Sequence, residues 1–179
     1  MDNEIKKQII HGLIDTFINA GNIALDLRDK GLKKTIKEDN TPVTNGDLEV
    51  NKIITNKIRE ITPEIPIVSE EVSDNKNIEN LSTFWLIDPI DGTYDYLNNR
   101  DEFTLNAGLI IDKKPEAAII NAPAKKRLFY TFGMNNSFEI KHKKEIKLDS
   151  GLSSKNNELL ALVYSDNIKD EIKDIHNKY

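Results

Sequence analysis

The apolar run Ile65-Pro66-Ile67-Val68 leads into Glu70-Glu71, and the apolar run Phe84-Trp85-Leu86-Ile87 leads into Asp88-Pro89-Ile90-Asp91-Gly92-Thr93. Short apolar runs bounded by turn-forming residues predict buried strands. Two such strands, lying side by side, would deliver four carboxylates to one place. Like charges share a site only when protons or cations neutralise them. Oxygen ligands of this kind favour hard divalent cations such as Mg²⁺, so the pattern predicts a metal site.

The second acidic stretch carries more than ligands. Pro89 fixes the backbone between two carboxylates, Gly92 permits a turn with exposed amides, and Thr93 opens a short helix whose free N–H groups can hold an anion. Cation-binding carboxylates beside an anion-cradling turn describe a phosphate-ester hydrolase. The ordinary use of such residues is an Asx turn before a capped helix. The company of Glu70-Glu71 and Asp47 tips the balance toward chemistry.

Elements that would position these residues follow from periodicity. Ile5, Ile9, Ile10, Leu13, Ile14, Phe17, Ile18, Ile23, Ala24 and Leu27 recur at helical spacing, predicting a long amphipathic helix over residues 3–29 that Gly31 ends. Residues 37–47 are polar and broken by Pro42, a loop feeding a second helix marked by Leu48, Val50, Ile53, Ile54, Ile58 and Ile61. Thr44 or Asn45 would cap that helix, placing Asp47 in its first turn, where the helix dipole favours a negative charge. Strands are expected over 103–111, 116–122, 128–132, 138–140 and 146–148, joined by short polar turns, so much of the sheet should be antiparallel. Residues 149–157 read as a linker, 159–164 as one more buried strand and 167–179 as a weak helix. A strand so apolar needs cover on both faces, yet only one short helix follows it.

Composition narrows the field. Thirty acidic against twenty-five basic residues give a net charge of −5 with no basic stripe, which disfavours a nucleic-acid polymer as partner. The absence of cysteine removes disulfides, thiolate metal sites and thiol nucleophiles. Neither a signal-peptide core nor a run of membrane-spanning length is present, so a cytoplasmic location and no membrane partner are expected. His11, His142 and His176 sit at no ligand spacing and are expected at the surface. Trp85 and Phe84 are expected in the core and Lys125-Lys126-Arg127 at a solvated hairpin, while Tyr94, Tyr96 and Phe103 fit either core or substrate wall.

Taken together, Lys37 through Asp47, Ser69-Glu70-Glu71, Trp85 through Thr93 and Glu102-Phe103-Thr104-Leu105-Asn106 resemble the inositol monophosphatase superfamily in order and spacing. Asp39 to Thr44 and Glu102 to Asn106 are most similar to its 3'(2'),5'-bisphosphate nucleotidase (CysQ-type) branch. The resemblance implies an α+β, layered helix/sheet/helix sugar-phosphatase-type fold with a largely antiparallel sheet. It also implies a Mg²⁺-dependent phosphoric monoester hydrolase acting on 3'-phosphoadenosine 5'-phosphate. Glu70, Asp88 and the Ile90 carbonyl would hold one Mg²⁺, with Asp88 bridging to a second bound by Asp91. Thr93 and Asp47 would orient and deprotonate the attacking water, and the Gly92 and Thr93 amides would hold the phosphate. Glu70 thus counts among the catalytic set with Asp47 and Thr93.

Tyr94-Asp95-Tyr96 departs from the family's usual residues after its Asp-Gly-Thr turn. No Trp-Asp-x-Ala-Ala motif, the family's source of a further metal ligand, occurs here. Residues 1–150 are therefore expected to be an N-terminal α+β metal-binding domain and 151–179 the start of an incomplete, truncated second αβ layer. Impaired turnover, and a homodimer or a complementing C-terminal chain as partner, are expected on the same ground. An inositol or other sugar-phosphate monophosphatase is the first alternative, and a non-catalytic metal- or partner-binding remnant the second.

Overall fold

A computed structural model of the chain describes residues 1–36, 42–71 and 80–148. The described residues all fall within one compact unit, Met1–Asp149. Residues 37–41, the first part of the expected loop at 37–47, and the expected linker at 149–157, strand at 159–164 and helix at 167–179 with His176 lie outside the described residues.

Helix α1 spans Asn3–Lys30. Asp2 caps it by accepting a hydrogen bond from the Ile5 amide at 2.9 Å, and the Gly31 amide closes its end on the Arg28 carbonyl. Its stripe of Ile9, Ile10, Leu13, Phe17, Ala20 and Ala24 is buried. A short antiparallel pair, β1 (Lys34–Ile36) with β2 (Pro42–Thr44), then leads into α2 (Asn45–Ile61). The expected loop before α2 is thus corrected at its end: residues 42–44 are a strand, tied to Lys34–Ile36 by backbone pairing. Thr44 is the cap of α2. Its side chain accepts from the Gly46 and Asp47 amides while the Asp47 carboxylate accepts from the Thr44 amide, a complete capping box.

Seven strands follow in one sheet: β3 (Ile67–Ser69), β4 (Phe84–Asp91), β5 (Thr104–Ile111), β6 (Lys114–Ala122), β7 (Arg127–Thr131), β8 (Ser137–Lys141) and β9 (Lys144–Lys147). They lie in chain order, β3 parallel to β4 and every later pair antiparallel. The five-residue helix α3 (Thr93–Leu97) sits between β4 and β5. Hairpins β5–β6 and β8–β9 each turn on two residues with positive φ, Asp112-Lys113 and His142-Lys143, the mirror-image turn that matches strand twist. β6 begins at Lys114, two residues before the strand start expected at 116.

Alternation sorts the sheet into two faces. Trp85, Ile87, Leu105, Leu109, Ile119, Leu128 and Tyr130 join one core with Phe17, Val50, Ile54 and Ile58 of the two helices. Burial of each large side chain there contributes about 2–3 kcal/mol. Trp85 also donates its indole N–H to Thr62 Oγ1 at 3.0 Å, so the core is anchored by a satisfied polar contact. Among the described residues no helix is long and apolar enough to cross a membrane. His11 is exposed at the helix surface with its ring edge-on to Tyr130 at 5.4 Å, and His142 is exposed in the β8–β9 turn.

Candidate active site

Parallel pairing of β3 with β4 sets Val68 beside Leu86 and Ser69 beside Ile87. The Glu70 amide continues the ladder by donating to the Ile87 carbonyl at 3.1 Å. Glu70 is thereby held abreast of Asp88. Ser69, buried, donates to Asn51 Oδ1 of α2 at 2.7 Å, which fixes the end of this short edge strand to the helix layer.

The acidic stretch does not follow β4; it is the end of β4, a correction to the expected boundary at Ile87. Proline is tolerated there because the ladder is irregular: Asp88 pairs with Asn106 and Asp91 with Thr104, so Pro89 and Ile90 on one strand stand against Leu105 alone on the other. This extra residue matters to the chemistry. Positions three apart on a regular strand point to opposite faces, and the bulge restores Asp88 and Asp91 to one face. Asn106, across from Asp88, donates its Nδ2 to Asp91 Oδ2 at 3.2 Å. Sequence reading gave Asn106 no role. The available signal was the pair of polar residues, Thr104 and Asn106, alternating through an otherwise apolar strand.

Gly92 follows with φ 90° and ψ 37°, a left-handed conformation that a side chain disfavours. A Cβ there would stand 2.7 Å from the Glu102 carbonyl oxygen. The turn swings Thr93 back so that its hydroxyl lies 3.1 Å from the Ile90 carbonyl and 3.5 Å from Asp47 Oδ1. Asp47 is only 1% exposed, and its oxygens are divided. Oδ2 accepts from the Thr44 amide and hydroxyl, leaving Oδ1 to face Thr93.

Tyr96 separates in role from Tyr94. Tyr96 is fully buried against Phe103, rings 4.9 Å apart, and donates to the Ala24 carbonyl of α1 at 2.6 Å. Gly46 lies so close that a Cβ would sit 2.8 Å from the ring. Burial, and after it the negative Asp47, raise the Tyr96 phenol well above its ordinary value, which keeps it a donor. Tyr94 is 65% exposed, with the Arg100 guanidinium 5.5 Å above its ring. The basic cluster expected to be solvated is partly paired: Lys125 with Glu102 at 3.0 Å and Arg127 with Glu139 at 2.7 Å.

Electrostatically the site is unbalanced. Burial first, then Glu70, Asp91, a hydrogen bond shared with Glu70, and Asp47 push the Asp88 carboxyl from 3.8 up to about 7. Every one of these influences raises it. Among the described residues, Asp88 Oδ1 and Asn106 Oδ1 are buried acceptors that receive no hydrogen bond. Among the described residues no three His, Cys, Asp or Glu side chains already stand at chelating distances. The fit of a cation rests instead on the crowding of Asp88, Glu70 and Asp91 and on the orphaned oxygen. An all-oxygen donor set with one buried, unmatched carboxylate oxygen suits a hard divalent ion.

The inositol monophosphatase family matches residues 6–178. The 3'(2'),5'-bisphosphate nucleotidase CysQ of Aggregatibacter actinomycetemcomitans is 30% identical over 172 residues, covering 95% of this chain and 64% of that protein. Its namesake in Buchnera aphidicola subsp. Acyrthosiphon pisum is 36% identical over 133 residues, covering 73% and 50%. The crystal structure of CysQ from Bacteroides thetaiotaomicron superposes with a TM-score of 0.58 at 26% identity, covering 76% of this chain and 49% of that one. This chain therefore spans between half and just under two thirds of the length of these curated relatives. With nearly its whole length matched and its helix-on-sheet architecture shared, the chain belongs to the inositol monophosphatase family.

Proposed function

We propose that the chain carries the metal-binding half-site of a Mg²⁺-dependent phosphomonoesterase acting on 3'-phosphoadenosine 5'-phosphate, with AMP and phosphate as products. The observation that carries this reading is Asp88 Oδ1, buried without a donor among the described residues, on a carboxyl that burial and then the neighbouring carboxylates push up to about 7. The nucleotide substrate is favoured by the names of the two bacterial relatives at 30% and 36% identity.

Glu70, Asp88, Asp91 and the Ile90 carbonyl are the groups that would hold the cations. Bound there, Mg²⁺ supplies Lewis-acid stabilisation of the charge that builds on the phosphoryl oxygens. The chain's own groups do the rest. Thr93 Oγ1 accepts a proton from the attacking water and relays its own to Asp47 Oδ1, the oxygen its hydroxyl faces at 3.5 Å. Thr44, by holding Asp47 Oδ2, fixes which oxygen receives it. Backbone amides at Gly92 and Thr93 orient the phosphate for in-line attack, which converts an encounter into a positioned reaction.

Phosphate release from 3'-phosphoadenosine 5'-phosphate and from inositol monophosphate, each with and without chelator, tests the reading. The nucleotide should be hydrolysed faster, and chelator or Asp47→Asn should abolish turnover. Turnover that survives chelation would remove the metal from the mechanism. Preference for the inositol ester would overturn the substrate.

A further inference from the structure

A concavity lined by none of the site carboxylates lies between the latter half of α1 and the strands β7 and β8. It measures about 350 Å³, within the range of small-molecule sites. Ile18 and Leu25 of α1 line one wall, and Leu128 and Ile140, paired across β7 and β8, line the other. Ile18 is 40% exposed, so apolar surface is left facing the opening.

The charge around this cavity is opposite to that of the protein. The chain carries a net charge of −5, yet among the described residues the lining includes Lys126, Arg127, His142 and Lys143 and no carboxylate. Arg127 is already paired with Glu139 and lies 4.7 Å from the Phe129 ring centre, so among the described residues the two lysines are the ammonium groups that line the cavity. Glu145, on the same face as Ile140 by register, accepts from the Tyr130 hydroxyl at 2.7 Å and is not part of the lining. Lys126 and Lys143 both have left-handed backbones, φ 53° and 62°, positions that glycine fills more easily. Apolar walls with ammonium groups at the rim match a ligand with an oily body and one anionic end.

The geometry points to a binding site for a small amphipathic carboxylate, roughly eight to twelve carbons long, its body against Ile18, Leu25, Leu128 and Ile140 and its head at Lys126 and Lys143. This assignment does not depend on the phosphatase reading. Apolar contact supplies affinity, and the lysines select the charged head over a neutral one.

Calorimetric titration with decanoate, decanol and acetate, below micellar concentration and with chelator present, separates the contributions. Decanoate should bind at one site per chain with Kd on the order of 0.1 mM. Decanol should bind at least tenfold more weakly, and acetate should not bind. The double variant Lys126→Gln, Lys143→Gln should bind decanoate no better than decanol, at an unchanged melting temperature. The charge-keeping pair Lys126→Arg, Lys143→Arg should retain binding, and Ile18→Asp should weaken both long-chain ligands. No saturable binding of decanoate, equal affinity for decanol, or undiminished affinity in the glutamine pair would each overturn the site.

Discussion

The end of the sheet where β3, β4 and α3 meet, and the ladder from β6 to β9, treat charge and backbone in opposite ways. In the ladder, carboxylates meet donors. Lys6, buried on α1, pairs with Glu116 at 2.7 Å, Arg127 pairs with Glu139, and Tyr130 donates to Glu145. At the other end, among the described residues, the charges acting on Asp88 are carboxylates, two acceptors lack donors, and Gly92 holds a left-handed turn pressed against a carbonyl. Both ends share one helix layer and one core, so the contrast is local. It teaches that the paired ladder supplies the stability against which the site holds an arrangement that would not persist by itself.

The largest effect should come from filling the tightest spot. Gly92→Ala forces a side chain into a disfavoured backbone region and against the Glu102 carbonyl, and should destabilise the fold by about 3 kcal/mol in denaturant unfolding. An equally stable variant would mean that the turn is not strained and the contrast is overstated. Asp88→Asn should act in the other direction. Removing one charge from the cluster should raise stability by about 1–2 kcal/mol in the absence of divalent ions, the pKa shift being discounted for partial exposure. Mg²⁺ should raise the melting temperature of the parent protein, and the same variant should lose that shift. Loss of stability on this substitution would show that the cluster is not repulsive.

Tyr96→Phe removes the hydrogen bond to Ala24 from a fully buried ring and should cost about 1 kcal/mol. If the site end depends on that tether, turnover should fall by more than stability alone explains. The smallest effect lies in the ladder. The hydrogen bond and charge of Arg127 hold the Glu139 carboxyl below its ordinary value. Its folded-state value is thus lower than its unfolded one, so its stabilisation is fully present above the ordinary glutamate range. It is lost as pH falls through the lowered value. Stability of Arg127→Gln should decline less steeply over that acid window than stability of the parent, with the two curves meeting at the acid end.

Much of this architecture was legible because single residues settle it. Asp2 and Gly31 bracket α1, Thr44 with Asp47 fixes the start of α2, and alternation from Thr104 onward reveals the antiparallel ladder. The β1–β2 pair escaped because all three residues of β1 are exposed and show no alternation, so its pairing is a backbone property. The bulge in β4 escaped because Pro89 reads as the end of a strand, and only the partner strand shows that pairing resumes at Asp91. Tyr94 and Tyr96 could not be told apart by type. Two residues apart on a helix they face opposite sides, and which side is inward depends on α1 and Gly46. Asp47, Glu70, Asp88, Asp91 and Thr93 were singled out by carboxylate spacing and resemblance. The divided hydrogen bonding of Asp47 and the position of Asn106 required coordinates.

The last strand of the ladder has a consequence for the behaviour of whole molecules. Among the described residues β9 is one margin of the sheet, and all four of its residues, Lys144, Glu145, Ile146 and Lys147, are exposed. An open strand margin is a template on which a strand from another copy can add. Here the added strand would have to lie against two ammonium groups and a carboxylate surrounding a single isoleucine, stripping water from each. The opposite margin, β3, is only three residues long and offers little backbone to copy. Among the described residues, both margins of this sheet therefore resist growth by strand addition, one through charge and the other through brevity.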